Sequence, residues 1–250
     1  MLYAEVSGAG PRVVLVHGFT QTRRSWEVIA EDLSVDHEVV AVDAPGHGQS
    51  ASSPASLKAG ARLVGQVGRR ASYIGYSMGA RICLHLALKR PTIVQRLVLV
   101  SASPGIADAR QRRERRKADE ALASELERVG VNAFLERWLA NPLFAGLDPA
   151  AAGVAARREN TASGLAASLR LSGTGTQQPL HSRLAELAMP VLLVAGERDA
   201  KFAALAALMA RAIGANATVV IIPDAGHAAH LERPKEFLAA VRPFLDSPDT

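Results

Sequence analysis

The pentapeptide Gly75-Tyr76-Ser77-Met78-Gly79 sets a serine between two glycines, where an apolar run gives way to a helix-like run starting at Met78. A serine hydroxyl at neutral pH is a weak nucleophile and a weak base. It becomes effective when an imidazole takes its proton and a carboxylate orients that imidazole. The G-x-S-x-G spacing is the sequence form of a sharp strand-to-helix turn, with small residues on both sides because the backbones nearly touch. The acid and then the histidine follow later in such chains. Asp199, in GERD, comes directly after the apolar run PVLLVAG, and His227, in AGH, after VVIIPDA. Both are expected at strand carboxyl ends, on the same sheet edge as Ser77. Asp43 and Asp224 are rival acids: Asp43 begins a loop next to the sheet, and Asp224 lies in a turn just before the histidine. An anionic intermediate also needs two backbone N–H donors. Met78 supplies one, and Phe19 in the HGFT loop is the natural second. His17 and His47 read as loop braces bonded to backbone. His37, His85, His181 and His230 lack metal-ligand spacing, so no metal and no organic cofactor is implied.

Arg81 stands one helical turn beyond Ser77, so its side chain can rise beside the serine. A neutral ester gains nothing from a cation there, and an unpaired buried charge is costly. Two explanations stand: an anionic substrate, or an ion pair with a carboxylate of the downstream segment. More cations lie in that segment. Arg112, Arg115 and Arg116 fall at helical spacing, and Arg157 and Arg158 adjoin in AARREN. Arginine suits bidentate carboxylate binding, so several of them over one cleft point to a small-molecule polycarboxylate. Spacing leaves open which of each set faces the cleft.

These groups need elements to hold them. PRVVLVHG (11–18), HEVVAV (37–42), ASYIGYS (71–77) and VQRLVLVSAS (94–103) read as four buried strands. Between them lie helical patterns at 25–33, opened by a serine cap at Ser25, at about 56–68, and at 78–90, stopped by Pro91. From about 104 to 188 no strand is apparent, and the Ala-, Arg-, Leu- and Glu-rich segment reads as several helices. The pattern resumes with strands at 189–197 and 217–222 and helices at 202–214 and 234–245. This alternation predicts an α/β fold: a mostly parallel, doubly wound sheet. Segments 1–103 and 189–250 would form the core. Segment 104–188 would be a helical lid, inserted after the fourth predicted strand and lying over the strand carboxyl ends, where such sheets bind ligands.

Composition narrows the partners. The 250 residues are 48% hydrophobic and 21% charged, ordinary for a globular chain. The net charge of +5 favours anionic partners. The densest basic run, DARQRRERRKADE, mixes both signs and reads as a solvated helix face rather than a nucleic-acid surface, and aromatics are only 4%. No run approaches the ~18 apolar residues that span a bilayer. The start of the chain lacks signal-peptide character, and the lone Cys83 sits in an apolar run, so a cytoplasmic protein with a buried thiol is expected. The sequence does not fix an oligomeric state.

HGFTQTRRSW, DAPGHGQS, GYSMGAR, SASPGI, RRERRKAD, FLERWLANPLF, SLRLSGTGTQQPL, GERDAKF and AGHAAHLERP occur in an order that resembles the 2-succinyl-6-hydroxy-2,4-cyclohexadiene-1-carboxylate (SHCHC) synthases of menaquinone biosynthesis, within the α/β-hydrolase superfamily. The resemblance runs over roughly residues 12 to 234. It implies a lyase on a hydrolase fold, with Ser77, His227 and Asp199 abstracting a proton and pyruvate leaving, and with Phe19 and Met78 holding an enolate oxygen. It implies carboxylate-binding roles for Arg81, Arg115 and Arg157, pocket positions for Tyr76 and Trp138, and a polar contact from Gln177. The same triad would also serve a cofactor-free ester or C–C bond hydrolase through an acyl-enzyme. A receptor that keeps the pocket without turnover is a third reading. Ala80 replaces a frequent second glycine of the family, and Ala228 a frequent asparagine.

Overall fold

The computed structural model describes residues 1–247; the last three residues of the expected core segment 189–250, most of the polar tail SPDT, lie outside the described residues. Seven strands form one sheet: β1 (Ala4–Ser7), β2 (Arg12–Val16), β3 (Glu38–Val42), β4 (Ala71–Tyr76), β5 (Val94–Val100), β6 (Val191–Gly196) and β7 (Ala217–Ile222). The order is β1-β3-β2-β4-β5-β6-β7, and every pair is parallel except β1 with β3. This is the doubly wound sheet that the alternation predicts. The central strands read as unbroken apolar runs because helices cover both faces.

Successive side chains point to opposite faces, and two cores result. Val14, Val16, Leu97 and Leu193 pack under α2 (Leu57–Gly68), α3 (Met78–Lys89) and α7 (Ala200–Ile213). Val13, Leu15, Val98 and Leu192 pack under α1 (Glu27–Leu33) and α9 (Pro234–Asp246). Cys83 is buried in the first core with its thiol free. Ser25 is not the expected helix cap: residues Arg23–Trp26 form a 3-10 turn, and the Ser25 hydroxyl donates back to the Thr22 carbonyl. Ser56 does cap α2, accepting from the Ala59 N–H.

Between β5 and β6 lie α4 (Ala109–Leu139), α5 (Val154–Arg157) and α6 (Ala162–Ser172). A third apolar cluster, including Leu126, Phe134, Leu165 and Leu169, joins α4 to α6. α8 (Ala229–Glu232) follows β7.

Candidate active site

β4 ends at Tyr76 and α3 begins at Met78, so Ser77 makes the turn, at φ 50° and ψ −102°. Non-glycine residues rarely hold that conformation, and it lifts Oγ clear of the sheet edge. The flanking glycines are required by contact. A Cβ on Gly75 would lie 2.5 Å from the Gly79 carbonyl oxygen, and one on Gly79 would lie 2.0 Å from that of Val16.

His227 comes from the loop after β7 and Asp199 from the loop after β6. His227 Nδ1 lies 2.6 Å from Asp199 Oδ2, and Nε2 lies 3.2 Å from Ser77 Oγ. A carboxylate only accepts, so Nδ1 carries the proton and Nε2 is left to accept from the serine hydroxyl. The Ser101 hydroxyl donates to the His227 carbonyl at 2.8 Å and ties this loop to the end of β5. The rival acids are engaged elsewhere. Buried Asp43 accepts from the backbone N–H groups of Arg23 and Gln49 and from the Arg23 guanidinium. Asp224 is exposed and pairs with Arg198 at 2.7 Å.

A cavity of about 580 Å³ opens over Ser77 and His227, with Phe19, Met78, Tyr76 and Trp138 on its wall. Two buried cations also line it. Arg81, 8% exposed, donates from Nη1 to the Ser172 carbonyl at 2.5 Å and to Gln177 Oε1 at 3.3 Å. Arg157, 2% exposed, donates from Nε to the Ala152 carbonyl at 2.7 Å and from Nη1 to the Thr20 hydroxyl. Among the described residues neither has a carboxylate partner. Burial lowers both guanidinium pKa values to about 10, and the nearby Arg115 charge adds to the shift at Arg81. Both stay cationic at neutral pH. Asp119, whose charge reaches Arg81, is hydrogen-bonded to Arg115 at 2.7 Å instead.

The other candidates divide. Arg115 lines the cavity. Arg112 turns to the carbonyls of Ile106 and Ala107, Arg116 to that of Gly175, and Arg158 is exposed; none of the three lines the cavity. Gln177 makes its polar contact with Arg81. It is absent from the cavity wall and stands behind Arg81, as an acceptor for its guanidinium. Lys201 and Phe202 on α7 line the cavity without having been anticipated. The available signal was position, since they fall just after Asp199 in GERDAKF.

Residues 13–241 match the alpha/beta hydrolase family. The 2-succinyl-6-hydroxy-2,4-cyclohexadiene-1-carboxylate synthase of Serratia proteamaculans is 32% identical over 95% of this chain and 94% of its own length. A Bacillus subtilis protein, provisionally named for the same activity, is 35% identical over 97% of this chain and 93% of its own. The structure of MenH from S. aureus superposes with a TM-score of 0.91 at 30% identity, covering 98% of each chain. The chain belongs to the SHCHC synthase family of α/β-hydrolases.

In this member of the family, His17 and His47 are fully buried outside the Ser77 array. His17 accepts from the Ala44 N–H at Nε2 and contacts the Gly18 carbonyl through Nδ1, bracing two loops. Burial lowers its pKa to about 4. His47 contacts the Pro45 carbonyl, and burial lowers its pKa to about 3. Ala228 is buried in the second core, and its N–H donates to Glu232 at 3.0 Å. Ala80 is likewise fully buried, where a small side chain fits. Among the described residues no group of three or more metal-ligating side chains converges, and no helix is long and apolar enough to cross a membrane.

Proposed function

We propose that this enzyme eliminates pyruvate from 2-succinyl-5-enolpyruvyl-6-hydroxy-3-cyclohexene-1-carboxylate to give SHCHC, a step of menaquinone biosynthesis in the cytoplasm. The observation that carries the reading is the pair of buried guanidinium groups, Arg81 and Arg157, on the cavity wall over Ser77, without acid partners among the described residues. Such charges are stabilised when a carboxylate binds, which selects a polyanionic substrate. Ser77, its proton drawn toward His227 Nε2, takes the proton from the ring carbon next to the succinyl ketone. Asp199 orients the imidazole and stabilises the imidazolium that forms. The ketone oxygen gains negative charge and is met by the N–H groups of Phe19 and Met78. The released electrons shift through the ring double bond, which moves, and the ring C–O bond to the enolpyruvyl ether breaks. The leaving group departs as the enolate of pyruvate and is protonated. The step is redox-neutral and balances without a cofactor.

The test is pyruvate release from the enolpyruvyl substrate, followed by coupled reduction to lactate. Ser77→Ala, Asp199→Asn and His227→Ala are each expected to lower kcat by about 10²-fold or more, as for loss of a general base system. Hydrolysis of p-nitrophenyl acetate with no pyruvate release would replace the lyase by an acyl-enzyme hydrolase.

A further inference from the structure

We propose that Lys201 binds the third carboxylate of the substrate, at the mouth of the cavity. The inference rests on the lyase reading: that substrate carries a succinyl carboxylate, a ring carboxylate and an enolpyruvyl carboxylate. Arg81 and Arg157 supply two buried cations. Two further cations line the same cavity, Arg115 and Lys201.

Arg115 is already engaged. Its Nε donates to Asp119 Oδ1 at 2.7 Å, and Asp119 is 1% exposed. Besides Arg115, Asp119 accepts only a 3.3 Å bond from the Gly175 N–H among the described residues. Asp119 therefore already offsets the Arg115 charge, and Arg115 offers a bound carboxylate less net attraction than a cation with no acidic partner. Lys201 carries no such commitment. Its ammonium has no acidic partner among the described residues and lies 5.5 Å from the centre of the Phe202 ring. That ring in turn packs 4.5 Å from the His227 imidazole. The three cavity cations without an acidic partner among the described residues therefore come from three different elements: Arg81 from α3, Arg157 from α5 and Lys201 from the first turn of α7. Asp108, also on the wall, accepts from the Gln111 N–H at 2.7 Å as the cap of α4. An exposed ammonium on a flexible stem suits a carboxylate that enters last and stays near solvent.

The experiment measures tricarballylate, a tricarboxylate, and glutarate, a dicarboxylate, by titration calorimetry against the wild type, Lys201→Ala and Lys201→Arg. Lys201→Ala is expected to weaken tricarballylate about five- to tenfold, glutarate by less than twofold, and to raise KM for the enolpyruvyl substrate by a similar factor. Lys201→Arg keeps the charge and is expected to restore most of the tricarballylate affinity. A tricarballylate affinity within twofold of wild type in Lys201→Ala overturns the assignment, and so does an equal loss for both probes. Failure of the wild type to release pyruvate would sink the lyase reading separately, while the calorimetry would still decide the role of Lys201.

Discussion

Arg81 shows how one residue trades fold stability for binding. Its guanidinium is buried and held by a backbone carbonyl and by Gln177, with burial as the main force depressing its pKa to about 10. The sign follows from that shift. Below pH 10 the arginine is charged both folded and unfolded, so the burial penalty is fully present at neutral pH and is relieved only above it. A bound carboxylate offsets this penalty in the wild type. A dicarboxylate at 100 times its Kd adds about 2.7 kcal/mol, or a rise of roughly 5–10 °C in Tm for a chain of this size. Arg81→Met removes the charge and nearly keeps the volume. It is expected to abolish most of that ligand-induced rise, measured by scanning calorimetry with and without glutarate. An undiminished rise would show that Arg81 does not meet the carboxylate.

At the scale of elements, the decisive feature is a break inside α4. Arg115 and Trp138 both line the cavity, yet they are 23 positions apart on one helical run. A straight helix would separate them by about 35 Å at 1.5 Å per residue, too far for one cavity to touch both. Gly130, at φ 78° and ψ 170°, breaks the run and returns its second half. An added Cβ there would meet nothing within 4 Å, so the constraint is backbone conformation alone, in a region open essentially to glycine. Gly130→Ala is expected to cost about 1–3 kcal/mol in chemical denaturation, with kcat/KM falling as Trp138 shifts. Unchanged values for both would mean that the break forms with any residue. This break was not legible in the sequence, because the surrounding Arg, Glu and Ala residues favour a helix on either side and a lone glycine is weak punctuation. The six parallel strands were legible as continuous apolar runs, five of them because they are buried on both faces and the edge strand β7 through its β-branched run alone. β1 was missed because an edge strand of four residues, three of them exposed, leaves no such run. Ser77, Asp199 and His227 could be read from order and strand position. The engagement of Arg115 with Asp119 and of Gln177 with Arg81 could not, since it arises from contacts that the folded chain alone creates.

At the scale of the whole molecule, buried neutral histidines couple folding to acid. His17, His47 and His230 are almost fully buried, and burial lowers their pKa values to about 4, 3 and 3. Each accepts a proton near pH 6.5 when unfolded and only well below that when folded. Stability is therefore fully present above pH 6.5 and falls as pH drops toward the folded values, by up to about 1.4 kcal/mol per pH unit for each histidine. His230 is the most informative of the three. Its ring packs at a tilt, with centroids 4.3 Å from Trp26 and 4.5 Å from Tyr76, and both ring nitrogens lack a partner among the described residues. An aromatic ring without nitrogens can occupy that site. His85 is lowered to about 4 as well, mainly by burial, so His230→Phe is expected to flatten the fall in unfolding free energy between pH 6.5 and 4.5 by roughly a quarter, while leaving the fold intact at pH 7.5. Urea denaturation at several pH values measures that slope, and an unaltered slope would mean that the acid sensitivity of the fold resides in other groups.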